Sequence, residues 1–204
     1  MEEKTKRYSI IYADPPWEYR VWSKKGGRGT ANSHYATQSI AYLQMLDIEH
    51  ICADDAVLLM WATFPNLPEA ICVGKTWGFV YKTIAFTWVK TNRRNRKLFV
   101  GMGHYTRANA EVVLLFTKGK PLKRFSKSVQ QVLIAERKKH SEKPVEIRKR
   151  IEILFGDVPR IELFARDNDH PLFTDNRGGW DVFGNQVTGS IKIPLKQNNA
   201  AVKK

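Results

Sequence analysis

Cysteine is nearly missing from this chain of 204 residues, which has only Cys52 and Cys72. Both lie in apolar segments that look helical, and neither belongs to a recognisable disulfide or metal motif. We therefore expect two reduced thiols in the core of a cytoplasmic protein. The five histidines also lack the spacing of a zinc site, so no metal is expected.

Long apolar runs are absent as well. No stretch approaches the roughly 20 apolar residues that a membrane-spanning helix requires, and the first residues, MEEK, do not resemble a signal peptide. The chain also lacks a phosphate-binding G-x-G-x-x-G motif, since the segment Gly101-Met102-Gly103 supplies only half of one. These absences argue against a membrane protein and against a dinucleotide site of that type.

Acidic residues are few relative to basic ones. The chain has 34 Lys and Arg residues but 20 Asp and Glu residues, a net charge of +14. Such an excess indicates a polyanionic partner, and nucleic acid fits better than a membrane. The basic residues concentrate at 90–97 (KTNRRNRK), 118–127 (KGKPLKRFSK) and 136–150 (ERKKHSEKPVEIRKR). We expect these clusters to contact phosphates, with Arg93, Arg94 and Arg96 in the first, and to position the polymer without reading its sequence.

Strand and helix patterns alternate along the chain, which predicts an α/β layer fold in one domain over residues 1–190. A flexible basic tail is expected over 191–204. The run 56–61, AVLLMW, is typical of a strand covered on both faces. Strands are predicted at 9–13, 56–61, 79–89, 111–117 and 160–164, and helices at 38–50, 67–77 and 144–155.

Four polar segments are longer than connections usually are. In such sheets ligands bind beyond the carboxyl ends of the strands, so functional residues are expected in these loops. They cover residues 17–37, 90–110, 118–128 and 166–183.

The first predicted strand ends in Asp14-Pro15-Pro16-Trp17. Asp14 offers carboxylate oxygens, and Pro15 offers a carbonyl that the following proline ring holds in place. Two rigid acceptors suit the two N–H groups of an exocyclic amine, and an indole can stack on a planar base. Holding both hydrogens also favours a pyramidal, more nucleophilic nitrogen. The carboxylate would further suit a positively charged sulfonium methyl donor.

This tetrapeptide resembles the DPPW motif of the MT-A70-like N6-adenine methyltransferases, which use S-adenosylmethionine. Four later segments match the family in order: 88–92 (WVKTN), 142–144 (EKP), 160–166 (RIELFAR) and 184–186 (GNQ). A single motif is only moderate evidence for a family, whereas five motifs in the family's order are specific to it. The resemblance covers about residues 8–190 and implies a Rossmann-like, mostly parallel sheet flanked by helices, in permuted order. The catalytic motif precedes the cofactor strand.

The resemblance also implies roles for individual residues. Asp14 and Pro15 would hold the adenine amine, with Pro16 and Trp17 completing the catalytic motif. Lys143 would meet the methionine carboxylate of the cofactor, and Asn185 and Gln186 its ribose. The remaining expected contacts are Arg166 and Asn168 on the cofactor side and Tyr35, Trp88, Lys90 and Glu111 on the acceptor side.

The predicted function is methylation of adenine N6 in nucleic acid, in DNA rather than RNA because the chain is a bare catalytic domain. For duplex DNA the target base must first be flipped out. Two alternatives stay open. One is an inactive nucleic-acid-binding partner subunit, and the other is an enzyme that methylates cytosine N4 or a protein glutamine. The resemblance is also compatible with a homodimer.

Overall fold

The computed structural model of the protein describes residues 6–17, 38–138, 142–166 and 178–196. Its centre is a sheet of seven strands in the order β5-β3-β4-β2-β1-β6-β7. The strands are β1 Tyr8–Ala13, β2 Cys52–Ala62, β3 Val80–Thr91, β4 Ala110–Lys118, β5 Val132–Glu136, β6 Arg160–Leu163 and β7 Trp180–Phe183.

All strands except one run in the same direction. β1 is parallel to β2 and β6, β6 to β7, and β3 to β5, whereas β4 is antiparallel to both β2 and β3. The carboxyl ends of six strands therefore meet at one edge of the sheet, and β4 begins there. The predicted mostly parallel, Rossmann-like sheet is confirmed.

Helices cover both faces of this sheet. They are α1 Ile40–Met45, α2 Ile48–Ile51, α3 Leu67–Thr76, which follows a 3₁₀ turn at Phe64–Asn66, and α4 Glu146–Phe155. Residues of α1, α2 and α3 belong to one apolar cluster and residues of α4 to the other. Among the described residues, no helix is both long enough and apolar enough to cross a membrane.

The apolar run of β2 is buried on both faces because alternate side chains enter opposite clusters. Leu58 and Met60 pack with α1 to α3, while Leu59 and Trp61 pack on the face of α4. The predicted two-sided strand is therefore confirmed.

Three elements differ from the sequence-based expectation. The helix predicted over 38–50 is two short helices, because the backbone of Leu46 is extended and ends α1. The Asp47 side chain then caps α2 by accepting from the His50 N–H. β5 was not predicted, and β7 lies within the segment 166–183 that was predicted to be a loop. Both are short edge strands, and a pattern of only four or five residues is hard to distinguish from loop sequence.

The first residues of the expected tail lie against the domain. Residues 191–196 pack along the domain: the Asp47 N–H donates to the Pro194 carbonyl at 2.9 Å, and the Lys196 N–H donates to the Met45 carbonyl at 2.7 Å. Ile191 and Ile193 pack against the core. The domain boundary expected at residue 190 stays a prediction, although apolar residues beyond it pack on the core. Residues 197–204 lie outside the described ranges.

The two cysteines are placed differently from each other. Cys52 is buried at the start of β2, and burial raises the pKa of its thiol to about 11. Cys72 is exposed on α3, so the expectation of two core thiols is wrong for this residue. Helical spacing around position 72 did not distinguish the buried face of α3 from its exposed face.

Candidate active site

Most of the described side chains that were predicted to be functional converge at the edge where the parallel strands end. Ala13, Leu163 and Phe183 are in register on β1, β6 and β7. The residues that follow these three positions therefore come together. On the other side of β2, Trp88 near the end of β3 pairs with Glu111 at the start of β4.

Asp14 lies at the centre of this edge. Its backbone N–H donates to the Leu163 carbonyl at 3.3 Å, which ties the residue to β6. Its side chain is 22% exposed, and Lys143 Nζ lies 2.8 Å from Oδ1 and 2.9 Å from Oδ2. Lys143 precedes Pro144 and α4, so the helix fixes where the ammonium group lies. The carboxylate is thus partly buried and ion-paired at the strand ends, rather than packed in the hydrophobic interior.

Charges of alternating sign continue from Asp14 toward β3. Lys143 Nζ is also 3.6 Å from Glu111 Oε2, and Lys90 Nζ is 2.5 Å from Glu111 Oε1. We call Asp14, Lys143, Glu111 and Lys90 the charge cluster. In the ranges that the structure describes, no group of three or more His, Cys, Asp or Glu could hold a metal ion. Each of the two carboxylates lies within 3 Å of a lysine ammonium group.

The two carboxylates have shifted pKa values of opposite direction. Burial raises the pKa of Asp14, although Lys143 acts in the opposite sense. Burial also acts to raise the pKa of Glu111, but Lys143 and Lys90 together outweigh it, and the pKa is lowered. Two lysines thus favour the charged form of Glu111, whereas at Asp14 the single neighbouring lysine only partly offsets burial.

Aromatic rings form the floor beneath the two lysines. Lys143 Nζ lies 5.5 Å from the Trp61 ring centroid, and Lys90 Nζ lies 5.0 Å from that of Trp88. The Trp61 indole N–H donates to the Tyr12 hydroxyl at 2.6 Å. Sequence reasoning missed Trp61 and Tyr12. The sequence signal for both is an aromatic residue that carries a polar group, near the end of a buried strand whose other residues are mostly aliphatic.

The prolines and tryptophan of the tetrapeptide hold its backbone. The Pro15 carbonyl accepts from the Trp17 N–H at 2.8 Å, which fixes its direction and leaves a second lone pair. The Pro16 carbonyl accepts from the Gln38 N–H at 3.0 Å. Trp17 is only 5% exposed, and its indole donates to the Trp61 carbonyl at 3.0 Å. The expectation that Trp17 stacks on a base is therefore wrong, because this ring belongs to the core.

A cleft lies at the carboxyl ends of β6 and β7, beside Pro16 of the tetrapeptide. Arg166 pairs with Gln186 as an isolated parallel bridge, so the residues after the two strands stay adjacent. Gly184 permits this approach, because a Cβ there would lie 2.3 Å from the Ala165 carbonyl oxygen. The cleft is lined by residues that include Pro16, Tyr42, Phe164, Arg166, Asn185 and Gln186.

Phe164 and Tyr42 in this cleft were not predicted. Phe164 has φ 62°, an uncommon backbone conformation for a residue other than glycine. Its ring meets Phe183 edge to face at 5.8 Å. Strained residues of this kind concentrate at ligand sites. The only sequence signal was the position of Phe164 directly after a buried strand.

Other predicted residues lie away from this centre or cannot be placed. Arg93, Arg94 and Arg96 are exposed on the connection from β3 to β4. Tyr35 and Asn168 lie outside the described residues. The basic segment 118–127 begins at the opposite edge of the sheet, because β4 is antiparallel and Lys118 pairs with Ala56 near the start of β2. The expectation that all three basic segments flank the pocket is wrong for this one.

The site can be compared with known proteins. A family model described as MT-A70 matches residues 8–186. The Type II methyltransferase M.MunI of Mycoplasma sp is 38% identical over 208 residues, which cover 94% of this chain and 83% of that protein. The N(6)-adenosine-methyltransferase catalytic subunit METTL3 of Homo sapiens is 28% identical over 185 residues, with 90% and 29% covered. The METTL3 subunit of Danio rerio is 29% identical, with 90% and 28% covered. The chain thus spans less than a third of the two METTL3 proteins.

Proposed function

Because the chain belongs to the MT-A70 family, we propose that it is an S-adenosylmethionine-dependent methyltransferase acting on the N6 amino group of adenine in nucleic acid. The observation that carries this proposal is the position of Asp14. Its carboxylate is ion-paired and partly buried at the strand ends, beside a backbone carbonyl of fixed direction. Such a pair of acceptors matches an exocyclic amine.

Asp14 and Pro15 would bind the two amine hydrogens. The carboxylate accepts one hydrogen, and the remaining lone pair of the Pro15 carbonyl accepts the other. Both acceptors are preorganised, since Lys143 holds the carboxylate and the Trp17 N–H holds the carbonyl. Their work is positional and electrostatic, which is where most catalytic rate enhancement arises.

The cleft residues fit the proposed cofactor by their chemistry. When bound, S-adenosylmethionine supplies an electrophilic methyl group on a positively charged sulfur. Asn185 and Gln186 offer amide groups for ribose hydroxyls, and Arg166 lies beside them. The carboxylate of Asp14 suits the sulfonium charge, and the Lys143 ammonium suits an amino-acid carboxylate. The cleft itself lies directly against the tetrapeptide, since Pro16 lines it.

We propose DNA as the preferred polymer, with RNA as the alternative. The higher identity is to the Type II methyltransferase, at 38%, against 28–29% for the N(6)-adenosine-methyltransferases. The exposed arginines 93, 94 and 96 would bind phosphates of either polymer. A cytoplasmic location and a homodimer, both expected from the sequence analysis, remain predictions. Sedimentation of the purified chain tests the second.

One incubation tests the reaction and the substrate together. The protein is mixed with methyl-labelled S-adenosylmethionine and with DNA and RNA in separate tubes, and the nucleosides are then identified by mass spectrometry. We expect label in N6-methyladenine, mainly from DNA. Label in N4-methylcytosine, or in the protein fraction as methylated glutamine, would show that the acceptor is a different planar amine from the one proposed.

The inactive-subunit alternative makes a different prediction. Such a subunit would keep the fold and the charge but not bind the cofactor. Calorimetric titration of the chain with S-adenosylmethionine therefore separates the two cases. We expect saturable binding that weakens in an Asn185→Ala/Gln186→Ala variant. Absence of heat with the wild-type protein would favour the inactive subunit.

A further inference from the structure

The connection from β3 to β4 is a projecting arm, residues 92–109. It is held by isolated antiparallel bridges between Thr91 and Leu98 and between Gly101 and Ala108. The Phe99 N–H donates to the Lys90 carbonyl, and the Lys90 N–H donates to the Asn109 carbonyl, both at 2.8 Å. The arm is therefore an ordered structure with backbone hydrogen bonds at its base.

The tip of the arm is a tight turn that requires glycine. A Cβ on Gly101 would lie 2.7 Å from the Ala108 carbonyl oxygen, and one on Gly103 would lie 2.0 Å from that of Thr106. The Gly101-Met102-Gly103 segment is thus explained by the close approach of two backbone segments. It fixes the direction in which the intervening side chain projects.

Large apolar side chains on the arm are exposed to solvent. Met102 is 92% exposed and Tyr105 96%, while Leu98 and Val100 are 51% and 64% exposed. Leu98, Val100 and Met102 alternate along the chain and so share one face of the extended segment. Phe99, between them, packs instead under the Arg137 guanidinium, 4.3 Å from its ring centroid. The arm therefore presents an apolar face and tip to whatever it contacts.

Positive charge surrounds this apolar face. Residues 92–109 contain five Lys and Arg residues and no Asp or Glu. These cations are Arg93, Arg94, Arg96, Lys97 and Arg107, all exposed. Burying the face against a second copy would bring two such clusters together, and each chain already carries +14. Charge complementarity instead favours a polyanion.

The base of the arm adjoins the charge cluster. Lys90 and Glu111, at the two ends of the arm, form the 2.5 Å ion pair that contacts Lys143. A nucleic acid whose target base lies at Asp14 would therefore run alongside the arm. Because the base must leave the stack to reach a site at a sheet edge, a gap is left in the duplex.

We propose that the arm is a strand-opening wedge, in which Met102 and Tyr105 enter the base stack beside the extruded adenine while the flanking arginines bind the phosphates. This inference rests on the proposed function. Apolar side chains inserted between base steps offset the cost of unstacking in other proteins that deform duplexes. Tyr105 can stack on a base, and Met102 adapts to the shape of the gap.

The test compares duplex and single-stranded DNA as substrates. Sheared genomic DNA that lacks N6-methyladenine is used native or heat-denatured, with tritium-labelled S-adenosylmethionine, so that no recognition sequence need be known. The variant is Met102→Ala/Tyr105→Ala, whose exposed positions should leave folding intact. The matched control is Val80→Ala/Ile153→Ala, which truncates exposed side chains away from the arm.

We expect the wedge variant to lose about tenfold or more in rate on native DNA, because unstacking costs a few kcal/mol. On denatured DNA it should stay within about twofold of wild type, because no stack has to be opened. The control variant should match wild type on both substrates.

Several results would overturn the wedge. Equal losses on the two DNA forms, or no loss on either, would show that the tip does not open strands. A shift from dimer to monomer in sedimentation of the variant would show that the tip is a contact between chains. If the wild-type protein labels only denatured DNA or only RNA, the wedge proposal fails but the proposed function stands. If it labels no polymer, the proposed function itself fails.

Discussion

The charge cluster and the arm use the same residue types in opposite ways. In the cluster, Lys143 and Lys90 are largely buried, and each contacts a carboxylate within 3 Å. In the arm, five cations are exposed and no acid stands among them. In the charge cluster, where a ligand must be positioned, the charges are therefore paired with one another. In the arm, where a polymer must be attracted, they are exposed to solvent.

This difference predicts how each region responds to perturbation. Charges that are partly buried are poorly screened by salt and depend on their partners, whereas exposed charges are screened and nearly independent of one another. Substitutions in the cluster should change chemistry and stability. Substitutions of the exposed cations in the arm should change binding and its dependence on salt.

The largest effect is expected at Asp14. Replacing Asp14 by Ala should lower turnover by at least about a hundredfold, as removal of one preorganised polar contact in an active site does. Cofactor binding should fall less severely. Asp181→Ala is a suitable control, because Asp181 is also paired with a lysine, Lys6, but lies away from the site. Steady-state methylation rates measure the first effect. Activity of Asp14→Ala above about a hundredth of wild type would contradict its assigned role.

A loss of stability is expected at Glu111. Glu111→Gln should destabilise the protein at neutral pH by roughly 2 kcal/mol, because two lysines lose a partly buried partner. The folded-state pKa of Glu111 is lowered, so its stabilising contribution is present above the unfolded value of 4.5 and lost as pH falls through the folded value. The difference in urea midpoint between wild type and variant should therefore shrink at acidic pH. A difference independent of pH would indicate a packing effect instead.

A shift in pH dependence is expected at Lys143. Burial raises the pKa of Asp14 and Lys143 opposes that rise, so Lys143→Met should raise the Asp14 pKa further. Asp14 acts as a carboxylate, and the acid limb of the rate profile should therefore move to higher pH. The rate near pH 7 should fall about tenfold. The measurement is kcat against pH at saturating cofactor. Lys143→Arg, which keeps the charge, should restore the position of the limb, and an unmoved limb in Lys143→Met would contradict the assignment.

The smallest effect on chemistry is expected at the exposed arginines of the arm. Replacing Arg93, Arg94 and Arg96 by Gln should weaken binding to all DNA sequences alike and flatten the dependence of log Kd on log salt, by about one unit of slope for each phosphate that the variant no longer neutralises. Thermal stability should change by less than about 0.5 kcal/mol. Fluorescence anisotropy at several salt concentrations measures the slope. The same slope in wild type and variant would show that the arm faces away from the phosphates.

Sequence reasoning identified the two-sided strand β2 and the strand-ending Asp14, because apolar runs and X-Pro sequences are local signals. Through the resemblance it also predicted Lys143 and Glu111 to be ligand-side residues. It did not show that these residues contact one another, since the Lys143–Glu111 contact joins residues far apart in the chain. Trp17 was placed wrongly because local sequence does not reveal which face of a loop is covered. The edge strands β5 and β7 were missed because each has only four or five residues, too few for a periodic pattern to be recognised.

The reversed direction of β4 has one more consequence. Between two parallel strands the chain must cross the whole sheet to return, but β3 and β4 are antiparallel, so the segment between them leaves and rejoins the domain at neighbouring positions. Such a hairpin connection tolerates exchange or changes of length without disturbing the strands that bear it. Shortening the arm to a two-residue turn should leave a folded domain with its cofactor cleft intact, and arms from related proteins should be transferable to it.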